Sequence, residues 1–299
     1  RINWKMNIEI NDKKYIFFYK RNFWGFRGEE FDPKDVKIIF EGGSTGNQRF
    51  TPEELTIVGQ LNQKFKEEEI EINIYNASTD GKSVFGYTND FIYWFPKIPN
   101  FNPEYGIFYI GINDRYRGIE NKHYDYKISN NKFDIIKDYI KNNSFVVDRW
   151  KYVKNKYFPR NQLKYEPDFQ VLYKNFNYID YQEAKIKHVK RKEQNNHRIL
   201  DFKKRLYNLK IIINKNNLIP IFITQIMFDG LKDDELFFIN EELKQFAKKN
   251  NFFLIPLDEI IEMSKNDFYD PNHTSPQGSK KIANIIYPHL KNFLTSNNK

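Results

Sequence analysis

A chain of 299 residues with 28 Phe, 20 Tyr and 4 Trp is long enough to bury roughly three quarters of its unfolded surface, which excludes a disordered segment or a stapled mini-scaffold. It has no cysteine, so disulfides, thiolate metal sites, iron–sulfur clusters and cysteine nucleophiles are excluded together. Its formal charge of +9 is concentrated: residues 149–215 hold 18 Lys and Arg against 6 Asp and Glu, a net +12, and the remainder carries −3.

Residues 1–33 read as an N-terminal β extension. Met6, Ile8 and Ile10 alternate with polar residues, Asn11-Asp12 is a turn pair, and residues 15–19 form a second apolar run, which predicts a hairpin. After Pro33 the pattern becomes short, nearly continuous apolar runs at residues 36–40, 70–75, 107–110, 219–224 and 252–255. Strands buried on both faces of a parallel sheet have that pattern. Between the first two runs, residues 52–69 place Leu55, Val58, Leu61 and Phe65 at helical spacing, with Thr51-Pro52-Glu53-Glu54 as the expected start. This is a βαβ unit with a right-handed crossover.

Residues 118–200, rich in Tyr, Asn and Lys and broken by Pro159 and Pro167, are expected to form a basic insertion after the third strand. A helix is expected over residues 181–215, with Ile186, Val189, Ile199, Phe202 and Leu206 on one face. The last helix, over residues 279–294, should bury Ile282, Ile285, Ile286, Leu290 and Phe293, with Pro288 kinking it or limiting its length. The expected fold class is α/β: a three-layer α/β/α sandwich around a five-stranded parallel sheet of flavodoxin-like type, with an N-terminal β-hairpin and the large insertion. Residues 34–299 form the core, and residues 118–200 elaborate the sheet's C-terminal edge, where ligands of open α/β sheets bind. No run reaches the roughly 18 to 20 apolar residues of a membrane-spanning helix. The chain starts at Arg1 without Met, as a processed product whose signal peptide or anchor has been removed would.

Four polar blocks follow strands or precede the last helix. Glu41-Gly42-Gly43-Ser44-Thr45-Gly46 leaves the first strand, either as a glycine turn with a Ser or Thr cap or as a nucleophilic serine at a helix N-terminus. Gly42 to Gly46 also spells the G-x-S-x-G of a nucleophile elbow, but only one sheet strand precedes Ser44, whereas the elbow sits deep in an established sheet. Asn76-Ala77-Ser78-Thr79-Asp80-Gly81-Lys82-Ser83 leaves the second strand, and Gly111-Ile112-Asn113-Asp114 the third. Asp270-Pro271-Asn272-His273 precedes the last helix, where the Asp can orient the imidazole or merely cap the surface. In a parallel sheet these blocks can converge on one crevice. His123, His188, His197 and His289 have no metal-ligand spacing and read as surface or core residues, and neither a metal nor a cofactor is expected.

In this order the blocks resemble the SGNH hydrolase superfamily, the GDSL esterases and lipases, over about residues 36–294 apart from the insertion. The resemblance implies a nucleophile at Ser44, oxyanion-hole groups at Gly81 and Asn113, and Asp270 and His273 as the other triad members. Gly-Gly-Ser-Thr replaces the family's common Gly-Asp-Ser, a variation associated with carbohydrate-active and membrane-tethered members. The segment Asn22-Phe23-Trp24-Gly25-Phe26-Arg27-Gly28 is similar to the N-terminal segment of anchored bacterial relatives. Glu41, where an apolar residue is usual, and the acidic Asp80 depart from the pattern.

The resemblance therefore implies a serine ester hydrolase that removes acetyl or other short acyl groups from a carbohydrate or glycan. An O-acyltransferase using the same site and an inactive glycan-binding module are the alternatives. The expected partner is an acylated saccharide or other small ester, in a bacterial extracytoplasmic setting. The basic insertion either forms a solvated surface or contacts an anionic glycan through its Lys and Tyr side chains. Nucleic acid is the weaker alternative partner for it, since no nucleic-acid motif accompanies it.

Overall fold

The computed structural model describes residues 2–115, 176–188 and 196–297. Most of the basic insertion, with His123 and Val189, lies outside the described residues. The chain opens with a hairpin of β1 (Ile2–Ile10) and β2 (Lys13–Arg21) in antiparallel register. Asn11 and Asp12 have φ values of 50° and 61°. A two-residue turn with both residues in the left-handed region matches the right-handed twist of the strands, and Asn and Asp tolerate that region better than other non-glycine residues. The inward-facing Ile8 and Ile10 pack with Tyr269, joining the extension to the loop that carries His273.

Five strands form the main sheet: β3 (Ile38–Glu41), β4 (Ile74–Asn76), β5 (Tyr105–Ile110), β6 (Ile219–Thr224) and β7 (Phe253–Ile255). Their order is β4-β3-β5-β6-β7, with every neighbouring pair parallel. All five apolar runs thus become strands, shifted by at most a few residues. Alternation splits their side chains between two cores. Phe40, Ile107, Ile221 and Ile223 face α2 (Ile57–Glu67) and α8 (Pro276–Asn297). Ile39, Phe108 and Phe222 face α3 (Val84–Asn89), α5 (Asn196–Lys215) and α6 (Asp234–Asn250). The result is the expected three-layer sandwich. Two short helices, α1 (Ser44–Asn47) and α7 (Leu257–Ile260), follow β3 and β7, and α4 (Tyr181–His188) precedes α5.

Three local expectations are corrected. The first long helix does not start at Pro52. Glu53–Leu55 makes a 3-10 turn, and Thr56 caps α2 by accepting a hydrogen bond from Gly59 N at 2.9 Å. Thr56 is a second capping residue four positions on, and it lies in the extended conformation that a cap requires. Pro288 does not limit α8, which runs on to Asn297. Asn284, the residue whose carbonyl loses its partner at a proline four positions later, lies with Pro288 on the exposed face, so no buried acceptor is orphaned. Ile186 is 81% exposed and does not join Ile199, Phe202 and Leu206 in the core. The described parts of the expected 181–215 helix, residues 181–188 and 196–215, are helical, as α4 and α5.

Gly59 is a case where the usual sign of a helix substitution should invert. Gly→Ala inside a helix ordinarily gains about 0.5–1 kcal/mol. A Cβ here would lie 2.0 Å from the Glu53 carbonyl oxygen, which is backbone and cannot swing aside. Gly59→Ala is therefore expected to lower the thermal midpoint, by roughly 2–6 °C for a 1–3 kcal/mol overpacking cost. Differential scanning calorimetry checks it, and an unchanged or raised midpoint contradicts it.

Candidate active site

Strand order reverses between β3 and β5, the point at which open α/β sheets form a crevice outside their C-terminal ends. Ser44, Asn113 and the loop before α8 meet there. Ser44 is the first residue of α1, after Gly43, and is half-buried between buried neighbours. The first bonds of this helix run from Gly46 N and Asn47 N to Gly43 O, so the Ser44 and Thr45 N–H groups lie ahead of them. Ser44 is absent from the residues with positive φ, so the strained turn of a nucleophile elbow is not what presents its hydroxyl.

His273, 229 positions along the chain, brings Nε2 to 2.7 Å from Ser44 Oγ. Its Nδ1 lies 2.7 Å from Asp270 Oδ2 and 2.9 Å from Oδ1. Asp270 Oδ1 also accepts the backbone N–H groups of Asn272 and His273 at 2.9 and 2.8 Å. The three-residue spacing works because the carboxylate folds the loop back on itself while it holds the ring. Burial alone would raise the Asp270 carboxyl; the hydrogen bond and charge of His273, with the two N–H donors, outweigh it and hold the group below its usual range. Tyr269 stacks on the His273 ring at 5.7 Å and 8° between planes, and the hairpin residues Ile8 and Ile10 back it.

Asn113 reaches the same place from β5. A Cβ on Gly43 would fall 1.5 Å from Asn113 Nδ2, so the missing side chain at Gly43 is what lets the amide lie beside Ser44. Lys82 O would be 3.0 Å from that same Cβ, which brings the loop containing Gly81 beside Gly43 as well. Gly81 has a φ of +76° and open space where a Cβ would point. All five residues singled out in the sequence thus belong to segments that converge on Ser44.

Several supporting residues were not legible in the sequence. Gln225, just past β6, donates to Thr45 Oγ1 at 3.0 Å and to Tyr109 O at 2.9 Å, and accepts from Ile112 N at 2.6 Å. It ties three strand ends together from beneath the site. Arg115 bridges Asp233 at 2.9 Å and Asn272 at 3.2 Å, linking the Asn113 loop to the histidine loop. A lone polar residue directly after a buried strand was the available signal for Gln225; for Arg115 there was none. Among the histidines, His188 is buried against Phe237 and Phe238 with Nε2 2.9 Å from Leu231 O, while His289 is exposed. The side chain of His197, like His123, lies outside the described residues. Among the described residues no group of acidic residues and histidines is spaced to hold a metal ion, and no helix is long and apolar enough to cross a membrane.

No family model matches the sequence, and no curated protein matches it. Solved structures similar to it include a psychrotrophic esterase from a Pseudoalteromonas species, 13% identical, covering 87% of this chain and all of that one, with a TM-score of 0.47. A member of the G-D-S-L lipolytic family from Veillonella parvula is 14% identical over 86% of this chain and 98% of that one, with a TM-score of 0.47. An acetyl-xylooligosaccharide esterase from Geobacillus is 12% identical over 86% and 93%, with a TM-score of 0.46. The chemistry of this chain has to come from its own residues.

Proposed function

We propose that this chain is a serine ester hydrolase of SGNH type, with Ser44 as nucleophile, His273 as general base and then acid, and Asp270 as the group that orients the imidazole. The observation that carries this is the unbroken hydrogen-bond chain from Ser44 Oγ through His273 to Asp270, made by residues from opposite ends of the sequence. His273 Nε2 takes the Oγ proton as the oxygen attacks an ester carbonyl; the carbonyl electrons move onto oxygen, and the tetrahedral intermediate collapses as His273 protonates the leaving alcohol. The developing oxyanion would be met by the Ser44 and Gly81 N–H groups and the Asn113 amide, each donor contributing about 3–4 kcal/mol in the transition state. Water, activated by the same imidazole, then releases the acid. An intact set of groups argues against a binding module with an inactive site.

The proposed substrate is a short acyl ester on a carbohydrate, and the proposed setting is extracytoplasmic. Support for the substrate comes from the block pattern Gly-Gly-Ser-Thr and from the solvent access of the site, where the His273 and Asp270 side chains are 23% and 20% exposed, open enough for a saccharide hydroxyl to approach. The test is acetate release from acetylated xylo-oligosaccharides and from p-nitrophenyl esters of increasing chain length. Acetyl esters should be turned over at least about tenfold faster than octanoyl esters, the discrimination that a few methylenes can supply. Preference for long chains would overturn the short-acyl assignment. Appearance of a newly acetylated acceptor on adding free glycan would place the activity with acyl transfer instead.

A further inference from the structure

The two departures from the family pattern, Glu41 and Asp80, lie on either side of one short loop. Lys82 follows Gly81 and is buried, at 5% exposure. It donates to Glu41 Oε2 at 3.1 Å, to Asp90 Oδ2 and to Ala77 O at 2.9 Å, beneath the Trp94 ring at 5.1 Å. Asp80 precedes Gly81 and accepts from Asn47 Nδ2 at 2.5 Å and from Arg49, whose guanidinium lies over the Trp4 ring of β1. On each flank of Gly81 at least one partner comes from the serine's own segment: Glu41 lies three residues before Ser44, Asn47 three after and Arg49 five after. Thr79 N also donates to Gly42 O at 3.2 Å, and Arg21 donates to Ser78 O.

Gly81 has a positive φ and no side chain, and a Cβ there would point into open space. Glycine has the most backbone freedom to lose, and a transition-state donor must be held to within about 0.5 Å. We propose that Asp80 and Lys82 are positioning residues, a two-sided ionic clamp that locks the Gly81 peptide to the Ser44 segment. The clamp rests on Gly81 being the oxyanion donor of the proposed function only for its effect on rate; its effect on loop order is independent. Ion pairs suit the task because their cost of desolvation is recovered only in one register. Burial, opposed by the charge of Lys82, raises the Glu41 carboxyl well above its usual range.

The experiment compares wild type, Asp80→Ala and the charge-neutral pair Lys82→Gln with Asp90→Asn. Backbone amide exchange over residues 77–83 is read first, then kcat, KM and the affinity for an alkyl boronic acid that mimics the tetrahedral oxyanion. Asp80 is at the surface, so its variant should fold even where the buried pair does not. In Asp80→Ala, Gly81 exchange should rise about tenfold and kcat fall about tenfold with KM within twofold. Boronate affinity should fall in step with kcat/KM, because both report oxyanion contacts. The Lys82→Gln with Asp90→Asn pair should show the same two losses. Unchanged Gly81 exchange with unchanged kcat in Asp80→Ala overturns the clamp. Faster exchange in a protein whose hydrolysis survives Ser44→Ala keeps the clamp and overturns the esterase assignment.

Discussion

Replacing Ser44 by Ala is expected to lower turnover of p-nitrophenyl acetate by about 10⁴-fold or more, while the thermal midpoint stays within a few degrees of wild type. The substitution removes one half-buried oxygen whose described side-chain bond is to His273 Nε2. Nothing in the core loses a partner, so activity and stability should separate cleanly. Whatever rate remains should come from the oxyanion donors and from substrate placement, which the variant retains. His273→Ala should cost a similar factor, and the double variant should cost little more than either single one, because the two residues act as a unit. Turnover in Ser44→Ala equal to wild type would overturn the mechanism. Additive losses in the double variant would show that His273 acts on something other than Ser44 Oγ.

Those two residues stand in polar blocks whose order along the chain, through the family resemblance, implies their roles. Apolar runs such as residues 107–110 and 219–224 read as strands buried on both faces, and a polar block directly after such a run marks a sheet end. The path from pattern to layers is equally direct: Phe40 and Ile39 face opposite cores because side chains alternate along a strand. What was not legible depends on partners far apart in the chain. Gln225 is one more Gln until the ends of β5 and β6 bring Ile112 N and Tyr109 O to it. Glu41 looked anomalous because a buried carboxylate has no place at the end of a central strand unless a cation is brought to it, and Lys82 is 41 residues away. The start of α2 was misplaced for a different reason. Pro52 and Thr56 both carry start signals, and it is Thr56 that takes the cap, accepting from the N–H of Gly59, which lies close to Glu53 O.

Asp270→Asn should lower kcat/KM on the order of 10⁴-fold, nearly as much as loss of the nucleophile itself, although the new side chain has almost the same shape. In wild type the carboxylate accepts from Asn272 N, His273 N and the ring. An amide can keep one oxygen on the two backbone donors, but its NH₂ then faces His273 Nδ1. That nitrogen must become the acceptor, which moves the ring proton to Nε2, the atom that has to receive the Ser44 proton. The imidazole stays in position in the wrong tautomer, and the imidazolium formed in the reaction loses its counter-charge. A pH series of unfolding midpoints provides a second readout with a defined sign. The folded Asp270 carboxyl is depressed relative to an unfolded value of about 3.9. Its contribution to stability is therefore fully present above that value and is lost as pH falls through the folded one. Wild type should be the more stable protein at neutral pH, with the two midpoints converging below about pH 4 as the carboxyl protonates. A difference that is constant from pH 7 to pH 3 would mean that the substitution acts through loop geometry and not through the charge paired with His273.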